Sequence, residues 1–358
     1  MKGCSRRLHD LVIFAVTLYV LGLGKVEAAF SDTEDIFLSA LSPSSARENL
    51  RYITSRPHVA GTKGDFMMAS YVQEQFVNAG IPRVDIFELD AFLNYPKKPA
   101  QVQLVEANSS KVLFRASLSE EILAFDDTSD TFWRNHTFHG YGASGKVSAP
   151  MVYANFGRPQ DFEALENAGV DVAGSIVLIR YGKCFRGLKV RNAQERGAVG
   201  VLIYSDPQED GYVQGPTYPD GPWRSESSVQ RGSVQFISKC AGDPMRADSR
   251  YKTRVEDLCG VKSFREMIPE IPSLPISYGD ALPLLKRMGG VGAVDIFEDF
   301  VGGLDVEYTV GPSSDLLLLE VENTEVVTGI PNVVAVIDGE LPEEEDMPIL
   351  LGNHRDAW

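Results

Sequence analysis

The chain has 358 residues and a globular composition, 44% hydrophobic, 9% aromatic and 23% charged, which excludes disorder as its default state and gives room for two domains or one domain with a large insertion. Its net charge of −16 argues against nucleic acid and against an anionic membrane surface as partners.

Arg6 and Arg7 precede an apolar run from Leu11 to Leu23 and a small-residue exit at Ala28-Ala29. This reads as a signal peptide over residues 1–28. The run falls short of the about 20 residues of a spanning helix, although a type II signal anchor stays open. Either reading places the remainder outside the cytosol, secreted or membrane-anchored. The sequons at Asn108 and Asn135 suit that compartment as glycosylation sites, with chance as the alternative. Three cysteines follow the leader. Cys240 and Cys259 flank a charged loop and could pair, leaving Cys184 free.

Residues 31–94 read as α then β. A helix begins near Ser44-Ser45, a turn follows at Pro57-His58-Val59-Ala60-Gly61-Thr62, and a second helix runs from about Asp65 to Ala79. Val84 to Leu89 alternates as a strand. Past Lys97-Lys98 the texture changes to short strands and turns. One βαβ unit stands out: Ser175 to Tyr181, a helix over Leu188 to Glu195, and Val199 to Tyr204. Ser273 to Leu285 reads as a strand leading into a helix. Leu316 to Val321 and Asn332 to Ile337 are strands, and Ile349 to Leu351 forms a last, buried one.

That last strand runs into Gly352-Asn353-His354-Arg355-Asp356, the usual way an open α/β sheet presents a metal ligand. The letters His354-Arg355-Asp356 also match a kinase catalytic loop, but no glycine-rich loop or strand lysine lies upstream. A basic island, Arg180, Lys183, Arg186, Lys189 and Arg191, interrupts an acidic chain. It reads either as a solvated helix face or as an anion clamp that holds a carboxylate bidentately. The turn at His58 reads as structural. Tyr218-Pro219-Asp220-Gly221 and Val229-Gln230-Arg231-Gly232 suggest no chemistry by themselves.

In order, Pro57 to Thr62, Arg180 to Gly187, Val190 to Gln194, Tyr204 to Pro207, Tyr218 to Gly221, Val229 to Gly232, Ile271 to Ile276 and Leu351 to Asp356 resemble the N-terminal half of the glutamate carboxypeptidase and N-acetylated-α-linked acidic dipeptidase family, relatives of the transferrin receptor. The resemblance implies an incomplete zinc-exopeptidase α/β sheet interrupted by an inserted α+β protease-associated, or apical, domain. The protease part would occupy 31–94 and 330–358, and the apical domain 95–329. It further implies a dizinc carboxypeptidase or dipeptidase acting on short peptides with acidic or polar C-termini. His354 would be a zinc ligand and Arg186 the arginine that grips the substrate carboxylate. The remaining ligands and the catalytic glutamate lie past Trp358 in the family, so this portion is expected to be inactive alone and to form a homodimer only at full length. Ser233 replaces an asparagine of the glutamate-specific members, which puts strict glutamate preference in doubt. The loop Met245 to Ser249 lacks the family's calcium-binding pattern, which puts calcium in doubt. A non-catalytic receptor or scaffold of the transferrin-receptor type is the alternative, and a free-standing apical binding module is a third reading.

Overall fold

The computed structural model describes residues 32, 34–248, 253–342 and 345–358, so the expected leader at 1–28 lies outside the described residues. Two compact units divide the chain at Ser55.

In the first unit, helix α1 (Pro43–Ile53) is capped by Ser42, whose hydroxyl accepts from the Ser45 amide at 3.2 Å. The cap therefore sits ahead of the expected Ser44-Ser45, because Pro43 lacks an amide proton and favours the first helical position.

The second unit opens with α2 (Lys63–Asn78), which packs on a two-stranded antiparallel ribbon, β1 (Arg83–Pro96) with β13 (Asn323–Val336). Both strands run well past the expected ranges because each supplies the other's hydrogen-bond partners, from Arg83↔Val336 to Pro96↔Asn323. The tip of this ribbon carries everything between.

That intervening part is a mixed sheet of β2 (Gln101–Val105), β3 (Val112–Arg115), β5 (Gly145–Tyr153), β6 (Ile176–Arg180), β7 (Gly200–Tyr204), β11 (Ser273–Ile276) and β12 (Leu316–Val321), in the order β11-β7-β6-β5-β12-β2-β3. From β11 to β5 the strands are parallel, and from β5 to β3 antiparallel. The parallel half is legible in composition: Ile176-Val177-Leu178-Ile179 and Val201-Leu202-Ile203 are apolar throughout and fully buried, as strands covered on both faces must be. Helices α3 (Pro159–Asn167) and α4 (Arg186–Glu195) make the crossovers, and α7 (Tyr278–Leu285) follows β11. Smaller elements complete the chain: β4 (His139–Gly140) beside β8 (Gly232–Ser233), the helical turns α5 (Pro207–Asp210) and α6 (Val255–Cys259), and β9 (Arg246–Asp248) beside β10 (Thr253–Arg254).

The expected strand at Ile349 to Leu351 does not form. Among the described residues no strand pairs with it, and Ile349 and Leu351 are 90% and 97% exposed. Among the described residues no helix is long and apolar enough to cross a membrane. Cys240 and Cys259 are joined in a disulfide, and Cys184 is free. Asn108, in the turn between β2 and β3, and Asn135 are both exposed.

Candidate functional site

The basic island does not behave as one surface. Arg180, at the end of β6, is 2% exposed; its Nε donates to Asn155 at 2.9 Å, its Nη1 to Glu209 at 3.3 Å, and its guanidinium lies 4.0 Å over the Phe156 ring. Lys189 is wholly buried, donating to the carbonyls of Phe156 and Gly182 at 2.6 Å each and facing the Cys184 sulfur at 3.6 Å. Burial pushes its amine down to about 8. Arg191 pairs with Glu195 one turn on, at 2.7 Å. Arg180 and Lys189 are thus structural pins and Arg191 is paired, while Lys183 is exposed and Arg186, half-buried, has no carboxylate partner among the described residues.

The pins shape the turn that presents it. Gly182 and Lys183 adopt positive φ, 106° and 63°, and Lys189 ties Gly182 and Cys184 back onto its own helix. Arg186 is then the first residue of α4 and half-buried. Its guanidinium sits 5.6 Å from the Tyr181 and Phe185 ring centroids, its Nε is buried without a hydrogen-bond partner, and among the described residues no carboxylate pairs with it. Its place in the first turn also puts it beside a helix N-terminus.

Two glycines make room. A Cβ on Gly232 would stand 2.3 Å from Arg186 Cζ, and one on Gly187 would stand 2.3 Å from the Gln235 carbonyl oxygen. Gly232 also holds φ at 148°, a region side chains avoid. Val229-Gln230-Arg231-Gly232, silent as sequence, is thus the floor beneath Arg186. Ser233 lies next to it, paired with Gly140 in the β4–β8 ladder.

His354 stands apart. Its side chain is 79% exposed and its Nδ1 lies 2.9 Å from the Asp356 carbonyl, leaving Nε2 as the open nitrogen. Neighbouring residues fix the backbone around it. Arg355 binds the buried Asp65 carboxylate and donates to the Pro331 carbonyl at 3.1 Å; the Ala357 amide donates to the His58 carbonyl at 3.2 Å. Trp358 packs edge-on to Phe138 at 5.5 Å and covers Gly140. The structural turn at His58 therefore anchors the His354 segment, and Trp358 brings that segment to β4, beside the floor of Arg186. Sequence reading missed Asp65, whose only signal was an acid in the first turn of a helix.

A catalytic zinc takes about three protein ligands. Among the described residues no group of three or more His, Cys, Asp or Glu side chains could hold a metal ion. His354 with Asp356 does not by itself amount to such a set.

Residues 147–239 match the protease-associated (PA) domain. The chain is 37% identical to a probable glutamate carboxypeptidase of Arthroderma benhamiae over 86% of this chain and 42% of that protein. It is 33% identical to the glutamate carboxypeptidase 2 homolog of Caenorhabditis briggsae over 97% of this chain and 47% of that protein. Among solved structures it is similar to an aminopeptidase from Aneurinibacillus sp. strain AM-1, at 16% identity and a TM-score of 0.40 over 84% of this chain and 48% of that one, too loose a likeness to build on. By sequence the chain belongs to the glutamate carboxypeptidase family, and it spans less than half the length of these curated relatives.

Proposed function

We propose that the complete protein is an extracytosolic zinc metallopeptidase that removes an acidic or polar residue from the C-terminus of short peptides. Arg186 binds the terminal carboxylate and His354 contributes one zinc ligand. The observation that carries this reading is the state of Arg186: half-buried, with its Nε unpartnered, seated on Gly232. A guanidinium fork matches a carboxylate bidentately, and partial burial strengthens the bond. When bound, zinc would polarise the scissile carbonyl and activate water. This chain's contribution is to orient the substrate end and to hold His354 on a backbone fixed by Arg355 and Ala357.

The test is hydrolysis of a dipeptide ending in glutamate by the complete protein, beside the same dipeptide with a blocked α-carboxyl. Arg186→Met should raise KM at least tenfold for the free acid and leave the blocked substrate unchanged. His354→Ala should remove bound zinc and activity together. Undiminished zinc content in His354→Ala, or an unchanged KM in Arg186→Met, would overturn the corresponding role.

A further inference from the structure

A buried histidine that sequence reading passed over lies directly behind Arg186. His139 is fully buried in β4, in register with Gly232 of β8. Its Nδ1 lies 3.0 Å from the Ser273 hydroxyl, and its Nε2 lies 3.2 Å from the Tyr181 hydroxyl. Tyr181 in turn donates to the Gln230 carbonyl at 2.8 Å. A tyrosine has one hydroxyl proton, and here it goes to Gln230, so the contact with His139 requires Nε2–H to donate to the tyrosine oxygen. Nδ1 is then the acceptor for the Ser273 hydroxyl.

The resulting chain runs Ser273 to His139 to Tyr181 to Gln230. It ends on both supports of Arg186: the Tyr181 ring under the guanidinium and the backbone two residues before Gly232. We propose that His139 is a positioning residue for the substrate carboxylate, acting through Tyr181 and the Gln230–Gly232 backbone to fix the Arg186 guanidinium. The inference rests on the reading of Arg186 given above. The neutral imidazole is essential to it, since a protonated ring would lose its acceptor at Nδ1 and put a second cation against Arg186. Burial, then the Arg186 charge, hold the imidazole down to about 3, so the neutral form prevails across the neutral range.

The test titrates the 358-residue chain with L-glutamate and follows the arginine Nε–H resonances by NMR. Arg186→Met should abolish the response. His139→Phe, which removes both polar atoms, and Tyr181→Phe, which keeps the ring and removes the hydroxyl, should each weaken binding about tenfold. The double variant should bind no worse than either single one, because both changes cut the same chain. His139→Asn, which offers an N–H and a carbonyl oxygen, should return affinity to within about threefold of the original. Wild-type affinity in His139→Phe or Tyr181→Phe, or additive losses in the double variant, would overturn the positioning role while leaving Arg186 as the anchor. An unchanged response in Arg186→Met would overturn the reading of Arg186 itself, and the positioning role with it. Should His139→Phe fail to fold, Tyr181→Phe alone still decides between these outcomes.

Discussion

Gly232 and Arg186 occupy one packing position between them: the space a side chain would take on the glycine is filled by the guanidinium. Gly232→Ala should therefore displace Arg186 without touching its charge. Affinity for glutamate should fall about tenfold, or ~1.4 kcal/mol, measured beside the thermal midpoint. Wild-type affinity in a folded Gly232→Ala chain would show that the seat is not required.

Lys189 makes no contact that serves a ligand; its polar partners are the Phe156 carbonyl, in the loop after β5, and the Gly182 carbonyl and Cys184 thiol of the turn before Arg186. Lys189→Met keeps most of the buried stem but leaves the Phe156 and Gly182 carbonyls without this donor. We expect a loss of about 1–3 kcal/mol, read as a shift in the denaturant midpoint.

The buried imidazole of His139 gives stability an acid limit. Its folded value, about 3, lies below the ordinary 6.5, so as pH falls the unfolded chain takes up this proton first. The stabilising contribution is complete above about 6.5 and is lost progressively down to about 3. Chemical denaturation at stepped pH should show a shallower decline across that window in His139→Asn. Identical slopes in the two proteins would refute the assignment.

Removing Arg355 would leave the Asp65 carboxylate buried, with the Gly61 amide still donating at 2.9 Å. Stranding a buried charge costs about 3–5 kcal/mol. Arg355→Ala should lower stability on that scale and also free the segment that carries His354. Hydrogen exchange at the Ala357 amide, bonded here to the His58 carbonyl, would report the release. Undisturbed protection there would mean that Trp358 alone holds the segment.

How much of this was legible depended on the range of each interaction. The parallel strands β6 and β7 and helix α4 announce themselves through local apolar runs and a glycine stop, and they fall within a residue or two of the expected limits. The extent of β1 was not legible, because the residues that lengthen it, Asn323 to Val336, lie far along the chain. Ile349 to Leu351 failed in the opposite way: its pattern is that of a strand, but a strand also needs a neighbour. At the site, Arg186 stood out as one of five cations, yet composition could not separate it from the pins Arg180 and Lys189. The family resemblance singled out Arg186, and the burial of those two residues with their carbonyl and carboxylate partners supplies the physical reason they are set apart. Gly232 was legible only as part of a family-like segment, and the physical role of Gly232 and His139 was not, since it is a matter of which distant backbone lies alongside.

Pro96 and Asn323 face each other at the tip of the β1–β13 ribbon, so the two ends of the intervening sheet leave side by side. Seen from the ribbon, that whole sheet is a hairpin turn of unusual size. Because the entropy of closing a loop grows only with the logarithm of its length, the ribbon is nearly indifferent to what the turn contains. The ribbon's own register thus tolerates changes of length between its strands, whereas the packing of Trp358 on Phe138 and Gly140 makes the position of the His354 segment depend on what that turn contains.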